Sequence, residues 1–361
     1  MGTDQTLGIA FVGCGNIAGA YAQSLQTRPD LVRIVGGFDI VESAAAAFGE
    51  QYGCDRYDSL DAVLADEAVD LVVNLTIQSA HYGVSLCSLR AGKHVHSEKP
   101  LALTREEAAE LVATADECSV RLSCSPFTWM GEAQQTTWKA IRDGRLGAVR
   151  VVYAEMNWGR IEWWHPAPGP FYAAGVGPLF DVAVYPLACM TTFFGPVAQV
   201  RGLGKVVLPE RRALSGEAFR AEAPDVVVAL LEFHSGTIAR LTSTFYVRPT
   251  LQHGMEIHGD AASIYMSSNH DFQAPLQIAP AQGGEWEPLP FVREPFPGVE
   301  WGRAIFDVAE AVAEGRPHRA TGAQAAHIVD LCNGVIESSA TGRPVEVKST
   351  FPPPAPMPWA M

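Results

Sequence analysis

A glycine-rich turn after the first apolar run restricts the fold of this chain more than any other feature. The run Leu7–Val12 leads into the motif GCGNIA at residues 13–18, a G-x-G-x-x-A pattern that opens a predicted helix. The first glycine of such a turn permits a tight bend, the second lets the backbone approach a pyrophosphate, and the small last residue keeps the helix close to the sheet. The motif predicts a dinucleotide-binding turn with the contact residues Gly13, Gly15, Asn16 and Ile17.

Strand and helix patterns alternate through the first 120 residues. Apolar strand patterns at 31–38, 70–75 and 94–97 are separated by helical segments. Thr104 and Glu107 form an S/T-x-x-E capping box, which begins a further helix. Alternation of this kind implies right-handed βαβ units and a parallel sheet with helices on both faces. We therefore predict an N-terminal Rossmann dinucleotide-binding domain over residues 1–124.

The pattern changes after residue 125 to alternating, β-branched stretches separated by turn residues. These stretches lie at 148–157, 197–207, 225–233, 237–247 and 254–266, with helices predicted at 132–143, 178–194, 300–314 and 322–340. They are typical of a large, mostly antiparallel sheet with helices on one face. We predict an α+β domain over 125–345 that binds substrate, and a proline-rich tail over 346–361. The other face of the sheet must be solvated or be buried against a partner.

Charge and composition exclude several classes of function. The chain has 26 Lys and Arg against 40 Asp and Glu, a net charge of −14, so it lacks the basic surface that nucleic acids and anionic membranes require. No apolar stretch reaches the ~20 residues of a membrane span, and no signal-peptide pattern is visible. Seven scattered cysteines form no CxxC pair, and ten histidines show no metal-ligand spacing. A reduced, metal-free, cytoplasmic protein is expected.

Asp39 is the candidate ribose ligand. It lies 24 positions after Gly15, at the end of the second predicted strand, where a carboxylate can bind ribose hydroxyls; a turn or helix-capping aspartate is the alternative. A 2′-phosphate about 4 Å from this carboxylate would be repelled by about 4 kcal/mol at an effective dielectric near 20. No Lys or Arg follows within residues 40–43 to compensate. The sequence predicts NAD as cofactor in preference to NADP.

A second motif carries a family resemblance. The segment KHVHSEKP at 93–100 ends a strand of the dinucleotide domain, and GPLFD at 177–181 and GRPH at 315–318 follow. With the glycine turn, these motifs resemble the Gfo/Idh/MocA family (glucose-fructose oxidoreductase, inositol 2-dehydrogenase and relatives) over nearly the whole chain. The resemblance implies an NAD-dependent dehydrogenase acting on a secondary hydroxyl of a sugar, inositol or related polyol. It also implies a homodimer or homotetramer formed through the open face of the C-terminal sheet. It places Glu98 and Lys99 at the cofactor, with Lys99 beside the nicotinamide and the substrate hydroxyl.

The resemblance implies further site residues. The family has a cofactor-proximal loop after the fourth strand, which corresponds here to Thr76, although its usual Thr-Pro-Asn is only partly kept. His81 matches a family histidine, with a satisfied structural histidine as the alternative. The family's Asp-x-x-x-His or Asp-x-x-x-Tyr pattern corresponds to Asp181 and Tyr185. If 178–194 is one helix, these two residues form an i, i+4 pair on one face, and Pro186 kinks the helix just after them.

These residues suggest a mechanism. Tyr185 transfers the hydroxyl proton, Lys99 polarises the oxygen, and Asp181 binds a neighbouring substrate hydroxyl; the roles of Tyr185 and Lys99 can also be exchanged. A phenol with an ordinary pKa of about 10 is a weak base near neutral pH, and a neighbouring cation favours its phenolate.

An aromatic segment provides candidate substrate contacts. Trp158 precedes the sequence WWHPAPGPFY at 163–172, whose prolines exclude regular structure. Aromatic faces suit sugar rings, so Trp158, Trp164 and His165 are candidate substrate-binding residues. A lid, core or subunit contact without a ligand is the alternative. One branch of the family has a similar segment, but this chain departs from it at GVGP (175–178) and VAV (182–184).

Two other functions stay open at the level of sequence. Some family members retain the nucleotide and cleave glycosides, as hydrolases or lyases, through transient oxidation. Others bind nucleotide and sugar only as sensors. Keeping Lys99, Asp181 and Tyr185 together argues against a sensor, because a sensor needs no acid–base groups, but it does not exclude glycoside cleavage.

Overall fold

A computed structural model describes residues 6–361 of the chain. Up to residue 127 its strands are β1 (Leu7–Val12), β2 (Val32–Phe38), β3 (Asp55–Arg56), β4 (Leu71–Asn74), β5 (His94–Ser97) and β6 (Leu122–Cys124), and its helices are α1 (Ala18–Leu25), α2 (Glu42–Tyr52), α3 (Leu60–Ala65), α4 (His81–Arg90) and α5 (Arg105–Glu117).

The second half of the chain is richer in strands. Its helices are α6 (Glu132–Arg142), α7 (Gly177–Asp181), α8 (Val184–Phe194), α9 (Arg303–Glu314) and α10 (Gly322–Thr341). Its strands are β7 (Val149–Asn157), β8 (Val197–Lys205), β9 (Glu210–Arg212), β10 (Ala218–Arg220), β11 (Val226–Phe233), β12 (Ile238–Thr244), β13 (Gly254–Gly259), β14 (Ala262–Met266), β15 (Leu276–Pro280), β16 (Glu287–Pro288) and β17 (Val345–Glu346). The stretch 254–266, expected as one strand, is therefore the hairpin β13–β14.

Helices begin and end where the local sequence supplies partners for the end groups. The Ser59 side chain accepts a hydrogen bond from the Ala62 N–H and caps α3. Thr104 and Glu107 form the predicted capping box of α5. Gly53 ends α2 in the left-handed region, with φ 65°, where a side chain would be strained. In the part of the chain from residue 6 onward, no helix is both long and apolar enough to cross a membrane.

The chain divides into two compact units. The first contains the described residues up to Phe127 and returns with Glu300–Ala326; the second contains Thr128–Val299 and His327–Met361. The return segment joins the first unit because it bonds to β6: the Cys124 N–H donates to the Ala320 carbonyl, and Ser123 bridges to Thr321. The sequence pattern places this segment in a second domain over 125–345, because contacts between residues 180 positions or more apart leave no periodic signal.

The first unit has the predicted Rossmann architecture. Its six strands are all parallel, in the order β3-β2-β1-β4-β5-β6. The central strand β4 is buried along its whole length, as expected for a sheet covered on both faces. The carboxyl ends of β1, β2, β4 and β5 therefore lie along one edge of the sheet, where doubly wound folds bind ligands.

The second unit is built on a nine-stranded sheet of order β16-β15-β14-β13-β7-β12-β11-β8-β17. Its described strand pairs are antiparallel except for β7 with β12, which confirms the predicted fold class. On β11, residues 227, 229, 231 and 233 are buried, while Val228 and Leu230 face outward. Gly202 allows α10 to approach β8 closely, because a Cβ there would lie 2.4 Å from the Val335 carbonyl oxygen.

The proline-rich tail packs on the second unit. Phe351 is buried against the His327 ring, with 5.1 Å between ring centroids. Lys139 donates to the Met361 carbonyl at 2.9 Å, and Arg293 lies 4.0 Å above the centroid of the Trp359 ring. The tail is thus part of the folded unit.

A buried ion cluster anchors the aromatic segment 161–172. Arg211 is fully buried and donates to Glu162 at 2.6 Å and to Asp225 at 2.5 Å. The Tyr172 hydroxyl donates to Glu162 at 2.5 Å and accepts from the Ile161 N–H at 3.1 Å. Burial and the neighbouring Glu162 raise the pKa of Tyr172, which therefore stays a neutral donor. Arg211 also donates to the Tyr172 hydroxyl at 3.0 Å, so Arg211 and Glu162 together hold both ends of the segment.

Replacing Arg211 with Met is expected to destabilise the protein strongly. The change leaves two carboxylates buried without their cation, which costs about 3–5 kcal/mol of unfolding free energy. Urea denaturation measures this loss. The matched control is Arg220→Met on the neighbouring strand β10, where the pair with Glu210 is about 70% exposed on both side chains. Equal stability of the two variants would contradict an anchoring role for the cluster.

Candidate active site

The glycine turn has the geometry that the motif predicts. Gly13 has φ +94°, and a Cβ there would lie 2.6 Å from the Leu75 carbonyl oxygen, so only glycine fits. The space around Gly15 is open, because no neighbouring atom lies within 4 Å of the position that a Cβ would occupy. Among residues 6–361, no acceptor is bonded to the backbone N–H groups of Gly15, Asn16 or Ile17, which precede α1. Free donors at a helix N-terminus fit the pyrophosphate of a dinucleotide.

Asp39 lies beside this turn at the end of β2. One carboxylate oxygen accepts the Cys14 N–H at 2.8 Å, and the other accepts the Val41 N–H at 2.8 Å. Each oxygen keeps a lone pair for a ribose hydroxyl. Burial, and secondly the Asp39 charge, raises the pKa of the Cys14 thiol to about 12, so this thiol is neutral. The next residue, Ile40, is exposed and leaves an apolar side chain at the same edge.

The loop after β4 contains Thr76 and is held in place by buried side chains. The Asn74 side-chain oxygen accepts from the N–H and the hydroxyl of Thr76, at 3.3 and 2.7 Å. The buried His81 ring lies between two carbonyl oxygens, that of Thr76 at 2.9 Å and that of Pro100 at 2.7 Å. Burial lowers the pKa of His81. The His81 ring thereby connects the Thr76 loop to Pro100, the residue after Lys99, and has a structural role at the site.

Glu98 fixes the end of β5. Its carboxylate accepts from the Tyr21 hydroxyl at 2.6 Å, from the Ser125 hydroxyl at 3.1 Å and from the Lys99 N–H at 3.1 Å. Burial lowers the pKa of the adjacent His96 to about 4, so that ring is neutral. The bonds tie the segment that carries Lys99 to α1 and to the residue after β6. Glu98 therefore holds the backbone of Lys99, whose side chain is half-buried.

The predicted helix over 178–194 is broken, which corrects the expected pairing of Asp181 with Tyr185. Asp181 is the last residue of α7, and Tyr185 is the second residue of α8. The physical reason is Pro186: its ring excludes a helical carbonyl four residues earlier, at Val182. The Val182 carbonyl instead accepts the Tyr185 N–H at 3.2 Å. The proline lies in the first turn of α8, and the break precedes Tyr185.

Tyr185 belongs to an aromatic group in the second unit. Its ring lies 5.6 Å from the ring of His270, and His270 lies 5.5 Å from the ring of Trp158, measured between centroids. Trp158 and Tyr185 both pack against the core cluster around Ile161 and Phe245. Two residues predicted from separate motifs are thereby brought together through a histidine that the sequence patterns did not indicate.

The aromatic segment presents Trp163 and Trp164 at the surface, with 54% and 50% of their area exposed. His165 packs edge-on against Trp164 and Phe171, at 5.4 and 4.9 Å between centroids. The Ala167 N–H donates to His165 Nδ1 at 3.1 Å, so this ring nitrogen is an acceptor.

Each unit therefore assembles its own part of the predicted site. The first unit collects Gly15, Asp39, Thr76 and Lys99 at the carboxyl edge of one parallel sheet. The second collects Trp158 and Tyr185 around His270, close in sequence to Asp181, which is buried. Over residues 6–361, no group of three or more His, Cys, Asp or Glu side chains is placed to hold a metal ion.

Comparison with known proteins gives a consistent assignment. The model of an oxidoreductase family with an NAD-binding Rossmann fold matches residues 7–125, and the GFO/IDH/MocA C-terminal domain model matches 134–265. The chain is 27% identical over 316 residues to 1,5-anhydro-D-fructose reductase of Ensifer adhaerens, covering 84% of this chain and 88% of that protein. It is 27% identical over 293 residues to D-glucoside 3-dehydrogenase of Escherichia coli K12, covering 76% and 83%.

A solved structure supports the fold. Levoglucosan dehydrogenase in complex with NADH and L-sorbose superposes with a TM-score of 0.84 over 96% of this chain and 100% of that one, at 20% identity. The two family models together span 251 of the 361 residues, which confirms the resemblance drawn from the motifs. The chain belongs to the Gfo/Idh/MocA family of oxidoreductases with an NAD-binding Rossmann fold.

Proposed function

We propose that this protein transfers a hydride between a secondary hydroxyl of a neutral sugar, inositol or related polyol and NAD. The relatives reported above are named as a sugar reductase and a glucoside dehydrogenase. The observation that carries the proposal is the edge of the parallel sheet in the first unit. There the unbonded backbone N–H groups of residues 15–17 follow β1. Lys99, whose backbone N–H is held by Glu98, follows β5 of the same sheet.

The chemistry is divided among a few side chains. NAD⁺, when bound, supplies the acceptor for the hydride that leaves the substrate carbon. Tyr185, as the phenolate, accepts the hydroxyl proton at its Oη and becomes the phenol, while the Lys99 ammonium polarises the substrate oxygen. In the exchanged roles, the uncharged Lys99 amine accepts the proton and becomes the ammonium, and the Tyr185 phenol donates a hydrogen bond to the substrate oxygen. The buried Asp181 carboxylate accepts a hydrogen bond from a neighbouring substrate hydroxyl. In the reductive direction Tyr185 returns the proton to the carbonyl oxygen.

Loss of Lys99 or of the Tyr185 hydroxyl is expected to reduce turnover severely. Removing a positioned acid–base group costs about 10²- to 10⁴-fold in rate, so Lys99→Ala and Tyr185→Phe should both lower kcat by this order. The measurement is the absorbance of reduced nicotinamide with D-glucose, myo-inositol, methyl β-D-glucopyranoside and levoglucosan as substrates.

Lys93→Ala is the matched control, because Lys93 precedes the same strand and donates to the Asp66 carbonyl at the opposite end of the sheet. Its kcat should equal that of the unaltered protein. Undiminished kcat in Tyr185→Phe would remove Tyr185 from the mechanism. If no substrate is oxidised although NAD binds, glycoside cleavage without net redox becomes the function to test.

We propose NAD in preference to NADP. Asp39 accepts two backbone N–H groups, and its carboxylate is the proposed ribose ligand. A cation for a 2′-phosphate would have to come from nearby, and the Arg56 guanidinium on the adjacent strand β3 is paired with Glu42 at 2.5 Å and Asp58 at 2.9 Å. The described surroundings of Asp39 therefore favour two free ribose hydroxyls.

Direct binding measurements test this preference. The repulsion of about 4 kcal/mol calculated for closely spaced charges is reduced by solvent around the half-exposed Asp39, so we expect NADH to bind at least about tenfold more tightly than NADPH. Asp39→Asn should weaken NADH binding and bring the dissociation constants of NADH and NADPH closer together. Asp30→Asn, at the opposite end of β2, should leave both dissociation constants unchanged. Tighter binding of NADPH by the unaltered protein would refute the assignment.

We propose that the open face of the nine-stranded sheet forms a homodimer or homotetramer. Apolar side chains remain exposed at directly paired or neighbouring positions of this face: Tyr153, Leu203, Val228, Leu230 and Ile238. Arg240 lies 4.9 Å above the Tyr153 ring on the same face. A mixed apolar and charged surface of this kind suits a subunit contact.

Sedimentation tests the assembly. The unaltered protein should have a mass of at least twice its 38.8 kDa chain mass, and Leu230→Glu should yield monomers because it buries a charge in the contact. The control is Leu214→Glu, whose leucine is exposed in the β9–β10 turn away from the sheet face. A monomeric unaltered protein would exclude this interface.

We also propose a cytoplasmic location. All seven cysteines are free thiols, which suits a reducing compartment. The net charge of −14 supports a small uncharged substrate over nucleic acid or an anionic membrane surface as partner.

A further inference from the structure

Hydrogen bonds fix the loop between β14 and β15 beside the second unit's part of the candidate site. The buried Asn269 side chain donates to the Glu155 carbonyl at 3.1 Å and the Gly254 carbonyl at 3.3 Å. The Asn269 carbonyl accepts the Cys189 thiol of α8 at 3.5 Å, and Gln134 donates to the Asp271 carbonyl at 3.0 Å. The loop is thereby bonded to the sheet, to α6 and to the helix that carries Tyr185.

This loop places the His270 ring between two site residues. The planes of His270 and Tyr185 are inclined by 56°, and those of His270 and Trp158 by 65°. The His270 and Trp158 rings pack edge against face at 5.5 Å between centroids, and the Tyr185 ring packs at a tilt against His270 at 5.6 Å. The ring is confined on both sides, so the direction of its nitrogens is fixed by the protein.

The hydrogen bonds of Ser268 assign the proton on this ring. The Ser268 hydroxyl oxygen accepts hydrogen bonds from the backbone N–H of His270 at 3.3 Å and from the backbone N–H of Asp271 at 3.2 Å. A hydroxyl has two acceptor lone pairs and one proton, so its proton is left for His270 Nδ1, 3.2 Å away. Nδ1 is then an acceptor, and the ring proton of His270 is on Nε2.

The ring is uncharged. Burial lowers the pKa of His270, against the weaker opposing effect of Asp271. A charged ring would also direct an Nδ1 proton at a Ser268 oxygen whose lone pairs are already used. Within residues 6–361, no acceptor is bonded to the Nε2–H, and the atom is not sealed from solvent. The site therefore contains a neutral, oriented hydrogen-bond donor beside Tyr185.

On the basis of the proposed function, we propose that His270 is a substrate-binding residue whose Nε2–H donates to an oxygen of the sugar or polyol next to the hydroxyl at Tyr185. A neutral donor between two aromatic rings binds a hydroxyl oxygen without requiring charge on the substrate. Asp181 accepts a hydrogen bond from one substrate hydroxyl, whereas His270 donates a hydrogen bond to another. The two residues therefore recognise the donor and the acceptor capacity of the substrate hydroxyls, respectively.

Nitrogen NMR of the full-length protein tests the proton assignment without any turnover. Histidines are labelled with ¹⁵N, NADH is added, and the His270 signal is assigned as the one absent from His270→Phe. We expect the Nε2-protonated neutral form near pH 7.5, and a loss of this single form in Ser268→Ala. A ring protonated on Nδ1, or on both nitrogens, would overturn the assignment.

Kinetics and sugar titration test the contact. His270→Phe keeps a ring between Trp158 and Tyr185 but removes the donor, so kcat/KM should fall about tenfold, mainly through KM, with unchanged NADH affinity. His270→Gln keeps an amide donor and should recover part of the loss. The control is His253→Phe, in an exposed loop of the same unit, which should leave kcat/KM unchanged.

The outcomes separate this inference from the proposed function. A sugar that Lys99-dependent turnover identifies as a substrate should also shift the His270 signal; if it is turned over without shifting that signal, or with equal kcat/KM in His270→Phe, His270 is not a substrate residue. Binding of myo-inositol, D-glucose or levoglucosan with a His270 shift but without turnover supports the contact and rejects the dehydrogenase. If none of these three compounds shifts the His270 signal and none is turned over, both the His270 contact and the proposed function are overturned.

Discussion

The buried cluster around Arg211 is the interaction on which the second unit's part of the site depends. One guanidinium joins Glu162 in the aromatic segment to Asp225, just before β11, and Asp225 also accepts the Val207 N–H at 2.7 Å. The cluster thereby connects three separate segments of the chain, those that contain Glu162, Val207 and Asp225. Burying these charges is unfavourable unless every one is paired, so the cluster permits essentially one arrangement of the segment.

The two units position their functional groups by different physical means. In the first unit the groups follow strand ends, and the backbone does most of the positioning: a positive φ at Gly13, open N–H groups before α1, and a carboxylate clamp behind Lys99. In the second unit, side-chain hydrogen bonds across long sequence separations hold Tyr185 and its neighbours. Asn269, for example, bonds to a carbonyl 114 residues away.

This difference explains what the sequence could predict. The bounds of Leu7–Val12 and His94–Ser97, and the capping box at Thr104, agree with the structure because each depends on local patterns. The hairpin within 254–266 had a local signal, Gly259-Asp260, that the strand pattern obscured. The break before Tyr185 also had a signal, Pro186, but its steric effect falls four residues earlier than a kink at the proline itself would.

His270 had no such signal. Its neighbours form no periodic pattern, and its position beside Tyr185 depends on bonds between the loop and residues of β7, β13 and α8. The family resemblance also could not supply it, because the resemblance extends only to residues of shared motifs. The candidate acid–base residues Lys99 and Tyr185 were therefore accessible from sequence, whereas the proposed substrate contact at His270 required the structure.

Rigidity under the exposed tryptophans has a consequence for binding. Trp163 and Trp164 are about half exposed, yet the backbone beneath them is held through Glu162 and Tyr172. The Arg160 guanidinium lies 5.0 Å above the Trp163 ring and 4.9 Å above that of Tyr246, which restricts the Trp163 ring further. A molecule that packs on these rings therefore does not have to order the segment first, and less conformational entropy is lost on binding. In the proposed substrate recognition, the ion cluster contributes through this ordering, although none of its charges lies at the surface.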